Sequence, residues 1–177
     1  MVRNIALLFV AAVTLCGCVL ESTLPLFPDT QGVLALGPTP PLLAAWNLKD
    51  GQWVRSGPDD PPLQLVAEAH HYVGIDPDKP AERMTMLFVP LEGGHYALQF
   101  SSTKEPNTAY AIAEIAGHEV LVKPLFCTAL KKAQGLEASI TYDHDNCRIA
   151  PSANGRDLMS KLAGLLPEAD IKLAPLP

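Results

Sequence analysis

The chain has 177 residues, with 13 Lys and Arg against 19 Asp and Glu and a net charge of −6. That acidity argues against nucleic-acid binding, which relies on basic stripes, and against electrostatic capture by anionic headgroups. The length fits one domain with enough interior for a core.

The first eighteen residues read as an address. A single charge at Arg3 precedes an apolar run from Ile5 to Leu15, and the segment ends Leu15-Cys16-Gly17-Cys18. The run is shorter than the roughly 17–25 residues a membrane-spanning helix needs, and it has the charged start, apolar middle and small-residue exit of a secretory signal. The Leu-x-Gly-Cys ending resembles the lipobox of bacterial lipoproteins. That resemblance implies that a diacylglycerol is attached to the Cys18 thiol and that cleavage falls between Gly17 and Cys18. Cys18 is the better acceptor: Gly17 precedes it, whereas bulky Leu15 precedes Cys16. Two or three acyl chains anchor a protein stably, where one does not. By the Gram-negative lipoprotein rule, the absence of Asp after the cysteine implies the outer membrane, with the domain facing the periplasm. Processing discards Arg3 and no acid, leaving 12 basic residues against 19 acidic ones, or −7.

Residues 1–17 are thus expected to be removed, 18–41 to form a lipidated, Pro-rich tether, and 42–177 to form one β-rich domain. Pro25, Pro28, Pro38, Pro40 and Pro41 cannot donate to a sheet, and the first dozen residues of this stretch extend to about 40 Å. Gly32 to Leu36 predicts a short strand. Leu43 to Leu48 and Gln52 to Arg55 flank Asp50-Gly51, a tight-turn dipeptide, and predict a hairpin. Leu63 to Ile75 alternates as one strand, and Asp76 to Glu82 reads as a loop.

Met84 to Leu91, His95 to Ser101, Ala109 to Ile115 and Glu119 to Leu125 predict two successive hairpins, joined by Glu92-Gly93-Gly94 and Ala116-Gly117-His118. Tyr96, Leu98 and Phe100 share one face of their strand, and Tyr110, Ile112 and Glu114 oppose Ala111, Ala113 and Ile115. Ala129 to Gln134 predicts a helical turn, and Glu137 to Tyr142 a strand. One helix is expected from Gly155 to Leu166, capped by Ser152 or Asn154 and stopped by Pro167, with Leu158, Met159, Leu162, Leu165 and Leu166 as its stripe. Ile171 and Leu173 suggest a last edge strand. The expected fold is mainly β: an antiparallel meander forming a sandwich or partly open barrel, with one C-terminal helix packed on it.

Once Cys16 is removed and Cys18 lipidated, Cys127 and Cys147 remain, and an oxidising compartment favours their pairing. Metal binding has weak support. His70 and His71 are adjacent, so on a strand they face opposite ways, and His95, His118 and His144 sit at turns. Asp143-His144-Asp145-Asn146 lacks the ladder of a calcium loop. There is no Gly-x-Ser-x-Gly elbow, and Glu68, Glu114 and Asp143 form an acid pair only if the fold joins them. No cofactor is expected. Trp46 and Trp53, on the two arms of one hairpin, are either cross-strand packing or a partner contact. The reading favours a non-catalytic, membrane-anchored envelope protein with a protein partner. The alternatives are a small-ligand or lipid carrier with Tyr96, Phe100 and Ile112 around a pocket, and a hydrolase of envelope polymers.

Overall fold

A computed structural model describes residues 19–57, 62–76, 79–144, 146–165 and 169–176. Cys18 and Gly17, with the expected lipidation and cleavage, lie outside the described residues, as do Leu166 and Pro167. The protein is mainly β. Its strands are β1 (Leu20–Ser22), β2 (Leu43–Lys49), β3 (Gln52–Arg55), β4 (Leu65–Glu68), β5 (His71–Asp76), β6 (Lys79–Pro90), β7 (His95–Ser102), β8 (Thr108–Ala116), β9 (Glu119–Pro124), β10 (Ile140–Asp143), β11 (Asn146–Ile149) and β12 (Ile171–Pro175). Two helices, α1 (Cys127–Leu130) and α2 (Gly155–Leu165), follow β9 and β11.

Nine strands form one ladder in the order β3-β2-β12-β9-β8-β7-β6-β5-β4, antiparallel throughout. The ends of this path, β3 and β4, are consecutive in sequence. Between them Leu63 exchanges both backbone hydrogen bonds with Leu43, at 2.6 and 3.0 Å, at the start of β2. The two ends of the path therefore approach each other at the start of β2, through this one bridge, while β3 pairs with β2 and β4 with β5. The sheet curls into a partly open barrel, which is the architecture the alternation predicts.

Both faces of the central strands are used. Inward, Leu43, Leu65, Tyr72, Met86, Phe88, Leu98, Ala113, Val120 and Leu173 pack with their neighbours into one core. Outward, Leu87, Val89, Ala97, Tyr110 and Ile112 form a second core with β1, Phe27, α1 and α2. The period-2 alternation of β8 thus separates two interiors: Ala111 and Ala113 belong to the barrel, Tyr110 and Ile112 to the layer outside it. Within α2, Leu158, Met159, Leu162 and Ala163 are buried, whereas Leu165, the last residue of the helix, is exposed. Asn154 caps the helix, its Oδ1 accepting from the N–H groups of Arg156 and Asp157 at 3.2 and 3.4 Å.

Several segments differ from expectation. Residues 19–41 are part of the domain and not a free tether. Leu20 is wholly buried, β1 lies between β8 and β11, and the chain then crosses the outer wall, where Phe27 exchanges hydrogen bonds with the Gln99 side chain. Gly32 to Leu36 contributes a single bridge, Val33 to Phe88, and then turns inward. Leu63 to Ile75 is not one strand. It doubles back at Ala69-His70, with Ala69 at φ 49°, so that Leu65 pairs with Gly74 and Ala67 with Tyr72 while Leu65 and Tyr72 both join the inner core. Lys79 to Glu82, expected in a loop, opens β6, and Glu137 to Ser139 is a turn ahead of β10. β12 is no edge: it sits between β2 and β9 and joins the first strand of the barrel to the last of the meander.

Cys127 and Cys147 are bonded, with Cα atoms 5.4 Å apart. Leu20 pairs with Cys147 and donates to the Leu125 carbonyl at 2.8 Å. The bridge therefore joins the two elements that flank β1.

Candidate functional site: an aromatic and charged outer wall

Chemistry inside the barrel is sparse. Phe88 meets the rings of Tyr72 and Tyr96 edge-on, with centroids 5.9 and 6.1 Å away. One end is closed by the turn at 34–37. There the Tyr72 hydroxyl accepts from the Leu36 N–H at 2.8 Å and donates to the Gly37 carbonyl at 3.0 Å. A barrel of about eight strands is just wide enough for side chains to fill or for one small ligand. Here Tyr72, Met86, Phe88 and Leu98 are all wholly buried in the centre. Tyr96 and Phe100 point into this core, but Ile112 points the other way, under α2, so the three do not share a lining.

The outer wall carries more. Strand registers place Arg55, Trp46, Lys172, Leu121, Glu114 and His95 side by side in one row across β3, β2, β12, β9, β8 and β7. At ~4.8 Å per strand step the row spans roughly 24 Å. Trp53 pairs with Leu48 one step along, on the same face. Both tryptophans lie over the Lys172 ammonium, which is 5.8 Å from the Trp46 ring and 5.4 Å from the Trp53 ring. Glu119 Oε1 lies 3.4 Å from the same ammonium. The pair is therefore neither buried in the core nor fully exposed: the rings are half-buried on the outside, held by a shared cation. Such contacts contribute about 0.5–1 kcal/mol each at exposed sites. The indole Nε1 of Trp46 is shielded from solvent and has no hydrogen-bond partner among the described residues, an arrangement that costs stability.

At the other end of the row Lys123 donates to Glu114 Oε1 at 2.7 Å, and His95 Nδ1 lies 3.3 Å from the same oxygen. The Lys123 hydrogen bond holds the Glu114 carboxyl below its ordinary range, opposed by partial burial and helped by the charges of Lys123 and His95. The wall thus alternates cation, aromatic ring, cation, apolar side chain, anion and imidazole in a fixed order. It can recognise a surface carrying its own carboxylates and apolar groups. It has no nucleophile held against a base.

The remaining candidates stay apart. His71 lies 3.9 Å from Asp29 and 3.8 Å from Glu68; His70 and His118 occupy exposed turns; His144 contacts only its neighbour Asp143, at 2.9 Å, among its described ion pairs. Among the described residues no three His, Cys, Asp or Glu side chains come together to hold a metal ion. Glu68 pairs with Arg83 at 2.5 Å and Glu114 with Lys123, while Asp143 sits on the β10–β11 turn, so the three carboxylates do not meet in one cleft. No helix of the described residues is long and apolar enough to cross a membrane. Lys172 and Leu121 were not legible as site residues, because only the β12 registers bring them beside Trp46, whereas Glu114, a candidate acid in the sequence, joins the row through its pairing with Leu121. The chain matches no protein family model, no curated protein and no solved structure.

Proposed function

We propose that this is a lipid-anchored protein of the bacterial envelope that acts without catalysis, by presenting its outer wall to another envelope component. The lipobox-like Leu15-Cys16-Gly17-Cys18 supports the anchor on Cys18 and an outer-membrane, periplasm-facing location. The observation that carries the binding role is the contrast between interior and wall. The inward side chains are buried in one apolar cluster, whereas Trp46, Trp53 and Lys172 are gathered on the outside. Tryptophan and arginine are common among the residues that dominate interface energies, and Arg55 lies beside Trp46 in the same row; a pre-ordered cluster loses little side-chain entropy on binding. The complete burial of Tyr72, Met86, Phe88 and Leu98 weighs against a carrier, and the scattered acids weigh against a hydrolase.

The test is in-cell crosslinking from a photoreactive residue at position 53, with Cys18→Ser as the unanchored control. One reproducible envelope partner is expected, weakened in the control and by Lys172→Glu. Absence of a partner from correctly acylated protein overturns the reading and directs attention to bound small molecules and hydrolysis. Purified partner and protein then give a direct readout, since the chain's two tryptophans are the two in the cluster. Binding at the wall changes their emission, and binding elsewhere leaves it unchanged.

A further inference from the structure

We propose that acylation at Cys18 seats the barrel directly against the bilayer, with α1 and the β10–β11 turn as its membrane-apposed face; this rests on the lipid reading above. Val19 is buried at 4% exposure and bridges to Phe126, and Leu20 is wholly enclosed between β8 and β11. One residue spans at most ~3.6 Å, so a lipid on Cys18 is a single peptide step from the packed domain. A dozen free residues would have allowed about 40 Å of play. This chain has no such slack.

The direction in which the chain leaves the domain follows from register. β1 runs parallel to β11, with Leu20 beside Cys147 and Glu21 beside Arg148, so its upstream end heads for the β10–β11 turn. It also runs antiparallel to the 125–126 segment, so the same end heads for the start of α1. The Cys127–Cys147 bridge holds these two neighbours together, and the Lys131 ammonium donates to the His144 carbonyl, tying the end of α1 to the turn. Exposed there are Lys131, Lys132, Tyr142, Asp143 and His144, with Asp143 paired to His144 at 2.9 Å and Lys131 5.9 Å from the centre of the Tyr142 ring. Lysines with apolar stems and a tyrosine with one wet end suit the headgroup layer. In a chain of net negative charge, this adjacent lysine pair lies where the anchor emerges.

The experiment uses full-length acylated protein, its acyl mass confirmed, in phosphatidylethanolamine–phosphatidylglycerol vesicles. With Cys18 acylated and Cys127 bonded to Cys147, Lys132→Cys supplies one free thiol for an environment-sensitive fluorophore. Glu105→Cys is the comparison: it is exposed in the β7–β8 loop, just before Thr108, which pairs with Ser22 at the opposite end of β1. Headgroup-nitroxide lipid is expected to quench the label at 132 several-fold more than at 105, and an eight-residue Gly-Ser spacer inserted after Cys18 is expected to erase most of the difference. Equal quenching at both sites, or a difference that survives the spacer, in acylated protein overturns the seating and leaves the lipid reading intact. Protein recovered without acyl mass overturns both.

Discussion

Tyr72→Phe removes one oxygen atom from the barrel and tests whether its closed end is held by that atom. The Tyr72 ring is wholly buried against Phe88, and Phe keeps this packing. What is lost is the acceptor for the Leu36 N–H and the donor to the Gly37 carbonyl. Leu36 is 4% exposed, so its N–H has little access to water. Leaving a buried donor unpaired costs about 1–3 kcal/mol, and the Gly37 carbonyl, only partly buried, adds little. The expected destabilisation is therefore about 1–3 kcal/mol in urea unfolding, with a fall in Tm of roughly 2–4 °C per kcal/mol for a chain of this size. Native-state hydrogen exchange separates local from global effects. Exchange of the Leu36 amide is expected to quicken roughly tenfold or more, while amides in the β6–β7 ladder follow only the global change. A stability change under about 0.5 kcal/mol with unchanged Leu36 protection would refute the argument that the turn plugs the barrel through this hydroxyl.

Other outcomes follow from the same structure. Replacing Cys127 and Cys147 by Ala opens a loop of 20 residues and is expected to cost about 3 kcal/mol in the chain-entropy model, measured by urea midpoint; a loss below about 1 kcal/mol would show that the packing around β1 holds without the bridge. Lys172→Met is expected to shift the emission of both tryptophans while leaving the far-ultraviolet circular dichroism unchanged; an unaltered spectrum refutes the shared cation. Glu114, held low chiefly by Lys123, contributes stability that is present above the ordinary value of 4.5 and is lost as pH falls through its lowered value. Glu114→Gln should therefore flatten part of the acid limb of a stability-against-pH curve. Tyr72 and Tyr110 are pushed up by burial, so their contribution is present below pH 10.0 and is lost as pH rises through their raised values; Tyr110→Phe should soften that alkaline limb.

Local chemistry was legible where a short stretch decides the outcome. Asp50-Gly51 turns between β2 and β3, with Asp50 at φ 50° and Gly51 at φ 75°, and Gly117 turns between β8 and β9 at φ 64°. These positive angles select such residues without help from the rest of the fold. The alternation in β7 and β8 was equally clear, because a period of two follows from the pleat. The hairpin at Ala69-His70 was hidden, since Ala at φ 49° is not a turn former and only the pairing of β4 with β5 compensates its strain. The prolines at 25 and 28 suggested a tether because proline excludes ladder bonding. It does not exclude packing: Leu20 ahead of the two prolines and Phe27 between them are buried.

By itself, then, the sequence determined the mainly β character, the meander from β6 to β9 and the C-terminal helix, all of which depend on neighbours a few positions apart, and it pointed to the pairing of Cys127 with Cys147. It also carried the lipobox-like address, which is a local code. The tertiary structure decided what depends on contacts distant in sequence. Lys172 reaches Trp46 and Trp53 because β12 returns after the α2 layer to pair between β2 and β9. Val19 and Leu20 are buried because the disulfide-linked elements near the other end of the chain enclose them. No periodicity encodes either arrangement, since strand order and register arise from burying two apolar faces at once, and that is a property of the whole fold.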